Sequence, residues 1–198
     1  MSTIGIKTTH PATGTNRHGL RQAVSGRRSS DIEHPLLRRL LRYWSGKKAG
    51  RDLPSRQDID PIEIGPEILP HVMLTDVLDG GRLRYRLAGT AVEAVIGRSL
   101  GGRYLDELLR PPYRDYILAL FSEVIQGRHA LYTESLYPLH GTQPERLTKR
   151  LMLPLVSEEG EVAVVLSGQI FKTVTETSYS PPLSPIPTVH QEIFRLIP

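Results

Sequence analysis

Cysteine does not occur among the 198 residues. Disulfides, thiolate nucleophiles, cysteine-based zinc or iron–sulfur sites and cysteinyl photoadducts are therefore excluded. No apolar run approaches the roughly 18 to 20 residues needed to cross a bilayer. The N-terminus also lacks the apolar central stretch of a secretory signal. The expected location is therefore the cytoplasm. Residues 1–30 contain neither an acidic nor an aromatic side chain. With few large apolar residues and no periodicity, they cannot bury enough surface to offset the entropy of ordering. They read as a basic disordered arm.

Catalytic signatures are equally scarce. There is no G-x-S-x-G nucleophile elbow and no H-E-x-x-H pair. Gly14-Thr15-Asn16-Arg17-His18-Gly19 has the glycine spacing of a phosphate loop, but Leu20-Arg21 follows where Lys-Ser/Thr is required, and no buried strand precedes it. The histidines at 10, 18, 34, 71, 129, 140 and 190 form no metal-ligand spacing. His129 and His140 would be the haem-facing candidates, and they read more simply as strand-end residues. The neighbouring acids Asp58/Asp60, Asp106/Glu107 and Glu158/Glu159 fall at turns and helix starts, where carboxylates are ordinary. The expectation is no catalytic activity, no catalytic residue and no metal site.

What is present is a charge asymmetry and a sequence of periodic segments. Residues 1–51 carry eleven Lys/Arg against Asp31 and Glu33, a balance of +9, whereas 52–198 carry fourteen against nineteen acids, a balance of −5. The overall +4 and the basic isoelectric point thus belong to the N-terminal end. Hydrophobic content of 39 % suffices for one core, which 16 prolines and 17 glycines punctuate.

A helix is predicted within 31–50. Ser30-Asp31-Ile32-Glu33 offers a capping box and Pro35 a first-turn proline. Leu36, Leu37, Leu40, Leu41 and Trp44 share one face, opposite Arg38, Arg39, Arg42 and Lys47. Such a patch is too large to leave in water, so it must dock, either on its own domain or, preferably, on a second copy. Residues 51–70 form an irregular connector with prolines at 54, 61, 66 and 70.

Strands follow at 71–78 and 82–87, joined by Asp79-Gly80-Gly81, whose glycines supply the positive φ of a tight hairpin. Leu83, Tyr85 and Leu87 alternate with Arg82, Arg84 and Arg86, giving one apolar and one cationic face. Those arginines could bind an anion, but they read more simply as keeping an exposed sheet face soluble or pairing with acids on the neighbouring strand. Thr90 is a plausible cap for a helix at 91–96 that Gly97 stops, and a second short helix fits 104–109. The main helix is predicted over 113–126, with Tyr113, Ile117, Leu120, Phe121 and Val124 at helical spacing. Three strands then fit 129–139, 146–156 and 161–171. Residues 173–198 read as a Pro-rich tail ending in a short amphipathic segment with Val189, Ile193, Leu196 and Ile197.

The order of these elements resembles the PAS domain, and so do local stretches. Trp44, Leu53-Pro54-Ser55-Arg56, Asp58-Ile59-Asp60-Pro61, Leu69-Pro70 and Leu74-Thr75-Asp76-Val77 are similar to the opening of a short alphaproteobacterial PAS subfamily. Arg84-Tyr85-Arg86-Leu87-Ala88-Gly89-Thr90 and Gly102-Arg103-Tyr104-Leu105-Asp106-Glu107-Leu108 are similar to its next two signatures. The resemblance covers 34–171. It implies an α+β fold: a five-stranded antiparallel sheet, small helices and one long helix on one face, preceded by the amphipathic N-terminal helix. The PAS-like domain would occupy 51–172.

In that frame Ile117, Leu120 and Phe121 form a core wall that is also the candidate pocket wall. Tyr132, Leu136, Leu151, Leu153, Val164 and Leu166 are the expected strand partners. The resemblance implies a stand-alone sensory or protein-interaction module working through another signalling protein or through homodimerisation. A small hydrophobic ligand fits such a module, and the cofactor is left open. The alternative is a nucleic-acid- or membrane-associated accessory protein acting through the basic arm. Nucleic acid is the less expected partner, because no aromatic residue interleaves the arm.

Overall fold

The computed structural model describes the backbone of residues 25–28, 32–111, 113–138, 145–173 and 190–197, with side chains over 32–111, 113–135 and 147–172. In chain order the strands and helices are β1 (Ser25–Arg28), α1 (Pro35–Gly46), α2 (Pro61–Ile64), β2 (Val72–Val77), β3 (Leu83–Ala88), α3 (Thr90–Ile96), α4 (Leu105–Leu108), α5 (Tyr113–Gly127), β4 (Leu131–Pro138), β5 (Glu145–Val156), β6 (Val162–Thr173) and β7 (His190–Ile197). The sheet order is β1-β7-β4-β5-β6-β2-β3. Five consecutive strands of the sheet, from β4 to the edge strand β3 (β4-β5-β6-β2-β3), are all antiparallel.

The β2–β3 hairpin closes as its glycines dictate. Gly80 and Gly81 have φ of 74° and 77°, and the Leu78 and Gly81 amides donate to Arg82 and Leu78 carbonyls, each at 2.9 Å. Local chemistry also ends α3, where Gly97 takes a left-handed φ of 78°. Its start differs from expectation. Gly89, not Thr90, is the N-cap, because the chain there lies against the Leu69 and Pro70 carbonyls, where a Cβ would have no room. Likewise α1 starts at Pro35 with His34 as its N-cap and no side-chain cap. The helix thus begins beyond the predicted capping box, whose Ser30 and Asp31 lie outside the described residues, and Ile32 is buried in the core.

Both faces of the sheet are covered. On one face α1 and residues 51–71 bury Leu37, Leu40, Leu41 and Trp44 together with Leu53, Ile59, Ile64, Val72, Leu74, Leu151, Leu153, Val164 and Leu166. The apolar stripe of α1 therefore docks on its own sheet, and the expected interface between copies is replaced by an intramolecular one; Leu36 is only partly buried. Two contacts fix the register of the docking. Trp44 Nε1 donates to the Pro154 carbonyl at 3.0 Å, just past the Leu131–Met152 pair where β5 outruns β4. Gly168 has no Cβ, and one placed there would come within 2.7 and 2.8 Å of the Leu40 and Leu37 methyls. Burying four such side chains contributes about 1.5–3 kcal/mol each.

On the other face α3, α4 and α5 cover Met73, Leu83, Tyr85, Leu131, Met152 and Val165, with Ile117, Leu120, Phe121 and Val124 facing them from α5. At the sheet margin the three arginines of 82–86 all have partners. Arg84 and Arg86 hold the buried Asp76 carboxylate at 2.9 and 2.7 Å. Arg82 reaches Asp106 and Glu107 at 3.1 and 2.7 Å and stacks over Tyr104, tying β3 to α4.

The chain ends add to the sheet. Residues 25–28, read from sequence as part of a disordered arm, pair in parallel with β7. Residues 190–197, read as part of the tail, pair antiparallel with β4. The reason is physical: β4 would otherwise present a row of unpaired backbone groups at a sheet edge, a template that local composition does not reveal. The rest of the arm (1–24, 29–30), Asp31, and the rest of the tail (174–189, 198) lie outside the described residues.

Candidate functional site

Between α5 and the sheet lies a cavity of about 390 Å³. Its roof comes from helices: Val95 and Ile96 of α3, Leu109 beyond α4, and Tyr113, Ile117 and Phe121 of α5. Its floor is Met73 of β2, Tyr85 of β3, Thr148, Arg150 and Met152 of β5, and Ser167, Gln169 and Phe171 of β6. Ile96 lines the cavity yet is 39 % exposed, so α3 forms the rim.

Most of the sequence-predicted strand wall faces away from this space. Ile117 and Phe121 line it, and Leu120 packs beside it in the same core. Tyr132, Leu151, Leu153, Val164 and Leu166 belong to the opposite core beneath α1. Leu136 lies on β4, and its side chain is outside the described residues. The error is one of parity. A strand turns alternate residues to opposite faces, so shifting the assignment by one exchanges them all. With both faces covered, Leu151 and Met152 are equally buried, and hydrophobicity does not say which looks at α5.

The missed lining includes apolar residues such as Met73, Met152 and Phe171, and a set of polar ones. Thr133, Arg150 and Gln169 stand directly opposite one another across β4, β5 and β6, and Ser167 lies between Met152 and Met73 in the next row. All four are buried. A signal existed, since Thr148, Arg150, Ser167 and Gln169 fall on one parity of two largely apolar strands. Read alone, that pattern suggests a solvent face.

Arg150 dominates the electrostatics. It is 4 % exposed, and one guanidinium nitrogen, Nη2, donates to the Tyr113 hydroxyl at 3.2 Å. Nη1 is buried without a partner, as are the Ser167 and Thr133 hydroxyls. Burial opposes the Arg150 charge, but the surrounding Tyr113, Tyr116 and Tyr85 outweigh it and hold the guanidinium above its ordinary value; arginine stays protonated in any case. Burial, followed by Tyr113, pushes the Tyr85 phenol far up, so it remains a neutral donor. No carboxylate pairs with Arg150 among the described residues. A buried cation without a counter-charge is costly unless something else supplies one.

The other candidates resolve into structural roles. Asp58 accepts the Ser55 amide at 2.6 Å and Arg51 at 2.7 Å, and Asp60 caps α2 through the Ile62 amide. Glu158 takes a hydrogen bond from Gln57. His129 lies outside the cavity, its Nδ1 at 2.8 Å from the Gly127 carbonyl and its Nε2 at 3.2 Å from Glu123. His140 lies outside the described residues. Among the described residues no cluster of three His, Asp or Glu side chains could hold a metal, and no helix is long and apolar enough to cross a membrane.

A five-stranded antiparallel sheet with small helices, one long helix and a cavity between them defines an α+β domain with a ligand-sized space under its long helix. The family model described as PAS domain matches residues 32–170, and the chain belongs to that family. PAS domains are typically sensory or signalling modules. Among solved structures the chain is similar to the PAS domain of Bordetella pertussis BvgS, at 18 % identity over 61 % of this chain and 90 % of that one, with a TM-score of 0.44. It is also similar to the light-state structure of the blue-light photoreceptor Aureochrome1 LOV, at 17 % identity over 59 % of this chain and 91 % of that one, with a TM-score of 0.39. No curated protein matches.

Proposed function

We propose that this PAS domain is a sensor that binds a small molecule between α5 and the sheet and signals through a partner protein or through self-association. The observation that carries the reading is the cavity itself: about 390 Å³, apolar in most of its lining, with a few convergent buried polar groups. Small-molecule sites have this make-up, and volumes of roughly 300–1,000 Å³ are typical of them. The helical roof gives the signal a route. α5 and α3 meet the ligand from one side, so occupancy changes their packing on the sheet. The stripe of α1 is already buried, so self-association would use other surfaces.

Native mass spectrometry of the purified full chain tests this by reporting bound small molecules and oligomeric state together. The expected result is a sub-stoichiometric or full adduct that is lost on unfolding. An Ile117→Trp variant, which fills the cavity, should lose that adduct. If no adduct is found, no compound in a broad thermal-shift screen stabilises the wild type, and Ile117→Trp is more stable than wild type, the cavity is a packing void and the reading is wrong.

A further inference from the structure

We propose that the ligand is a small monocarboxylic acid with an apolar body, its carboxylate held by Arg150 and its body lying under α5. This rests on the reading of the cavity as the ligand site and adds the chemical class. The first ground is charge. Arg150 lines the cavity, is nine-tenths buried, and has Nη1 without a partner. All three arginines of 82–86, by contrast, are ion-paired. A guanidinium fork matches a carboxylate bidentately. A neutral ligand would leave the cation uncompensated, and a dianion would leave excess charge in a largely apolar space.

The second ground is the arrangement of neutral groups. Gln169 stands opposite Arg150 across the β5–β6 ladder and Thr133 opposite it across β4–β5, while Ser167 has a free buried hydroxyl on the cavity wall. Carboxylate oxygens have more lone pairs than one fork can fill, and Gln169 and Ser167, both on the cavity wall, can take the remainder. The third ground is shape. Beyond this polar patch, Ile117, Phe121, Met73 and Met152 offer only apolar surface. At about 30 Å³ per water-sized group the cavity takes on the order of a dozen non-hydrogen atoms. That suits a medium-chain or aryl-alkanoic acid.

Isothermal titration of the full chain with octanoate, octanamide and inorganic phosphate tests the assignment. Octanoate should bind at least tenfold more tightly than octanamide, and phosphate should neither bind nor compete. In Arg150→Met the acid should lose its advantage over the amide. The unliganded variant should melt higher than unliganded wild type, because an unpaired buried charge has been removed. Equal affinity for acid and amide, or octanoate binding that survives Arg150→Met unchanged, would overturn the proposal. Phosphate competing with octanoate at equal concentration would mark a simple anion site and also overturn it. Should Arg150→Met fail to fold, the acid-against-amide comparison on wild type decides alone. Failure to bind octanoate while native mass spectrometry shows a different small molecule sinks the carboxylate class but leaves the sensor reading standing. Failure of both, with Ile117→Trp stabilised, sinks the sensor reading as well.

Discussion

The docking of α1 on its own sheet can be tested at a single contact, where Leu40 lies over Gly168. Leu40 is fully buried, and nothing on the sheet below it can move into the space that Leu40→Ala would leave, because the residue beneath is a glycine. The loss should therefore fall well inside the range for buried leucines, about 3–4 kcal/mol, where transfer and cavity terms add. Gly168→Ala alone should cost about 1 kcal/mol. Its methyl would sit under 3 Å from Leu40 and Leu37 Cδ2 atoms, and those branch ends must shift, partly offset by the stiffer unfolded chain. In the Leu40→Ala background the same methyl enters the vacated space and should be neutral or stabilising. The expected coupling is about 1–2 kcal/mol, well outside the ~0.3–0.5 kcal/mol scatter of independent sites. Urea unfolding of the four proteins at equal slope measures it. Additive effects would refute the contact. A wild-type midpoint that rises with protein concentration would mean that association between copies contributes to stability.

Three further outcomes follow from the packing. Leu120→Ala, at a fully buried position of α5, should cost about 2–5 kcal/mol; a urea midpoint within error of wild type would show that the helix does not pack on the sheet. Gly89→Ala forces a Cβ against the Leu69 and Pro70 carbonyls, which are backbone and cannot rotate aside. Chemical denaturation should show a loss at the upper end of the ~1–3 kcal/mol typical of overpacking, and a neutral result would mean the α3 start is wrongly placed. For His34, burial first, then His71 and Lys149, holds the imidazole below its ordinary value of 6.5. The unfolded chain then binds the proton more readily, so stability is unaffected well above pH 6.5 and falls as pH drops through 6.5 towards the folded value. Melting at pH 7.5 and 5.5 should show a smaller drop in His34→Asn than in wild type, and parallel curves would exclude the role.

The sequence by itself determined most of the elements between α1 and β6 and their order. Asp79-Gly80-Gly81 could only be a hairpin turn, because two successive positive φ values demand glycine. The spacing of Leu37, Leu40, Leu41 and Trp44 gave a helix with one buried face, and Tyr113 to Gly127 gave the long helix within a residue of its end. Such features depend on a few consecutive residues and on no distant contact. What those faces meet was decided by tertiary structure. The α1 stripe had two admissible partners, and the choice rested on Pro154 and Gly168, more than a hundred residues away. Strand parity was undecidable from hydrophobicity because both sheet faces are covered, which makes Leu151 and Met152 equivalent in sequence and opposite in space. Arg150 shows the consequence most clearly. In a strand read alone, a cation marks the solvent side, and only the helices that close over β5 and β6 turn it into a buried, half-partnered group on a cavity wall. Two ends of the chain became strands for a similar reason, since an edge left open by β4 is a property of the assembled sheet and not of the segments that pair with it.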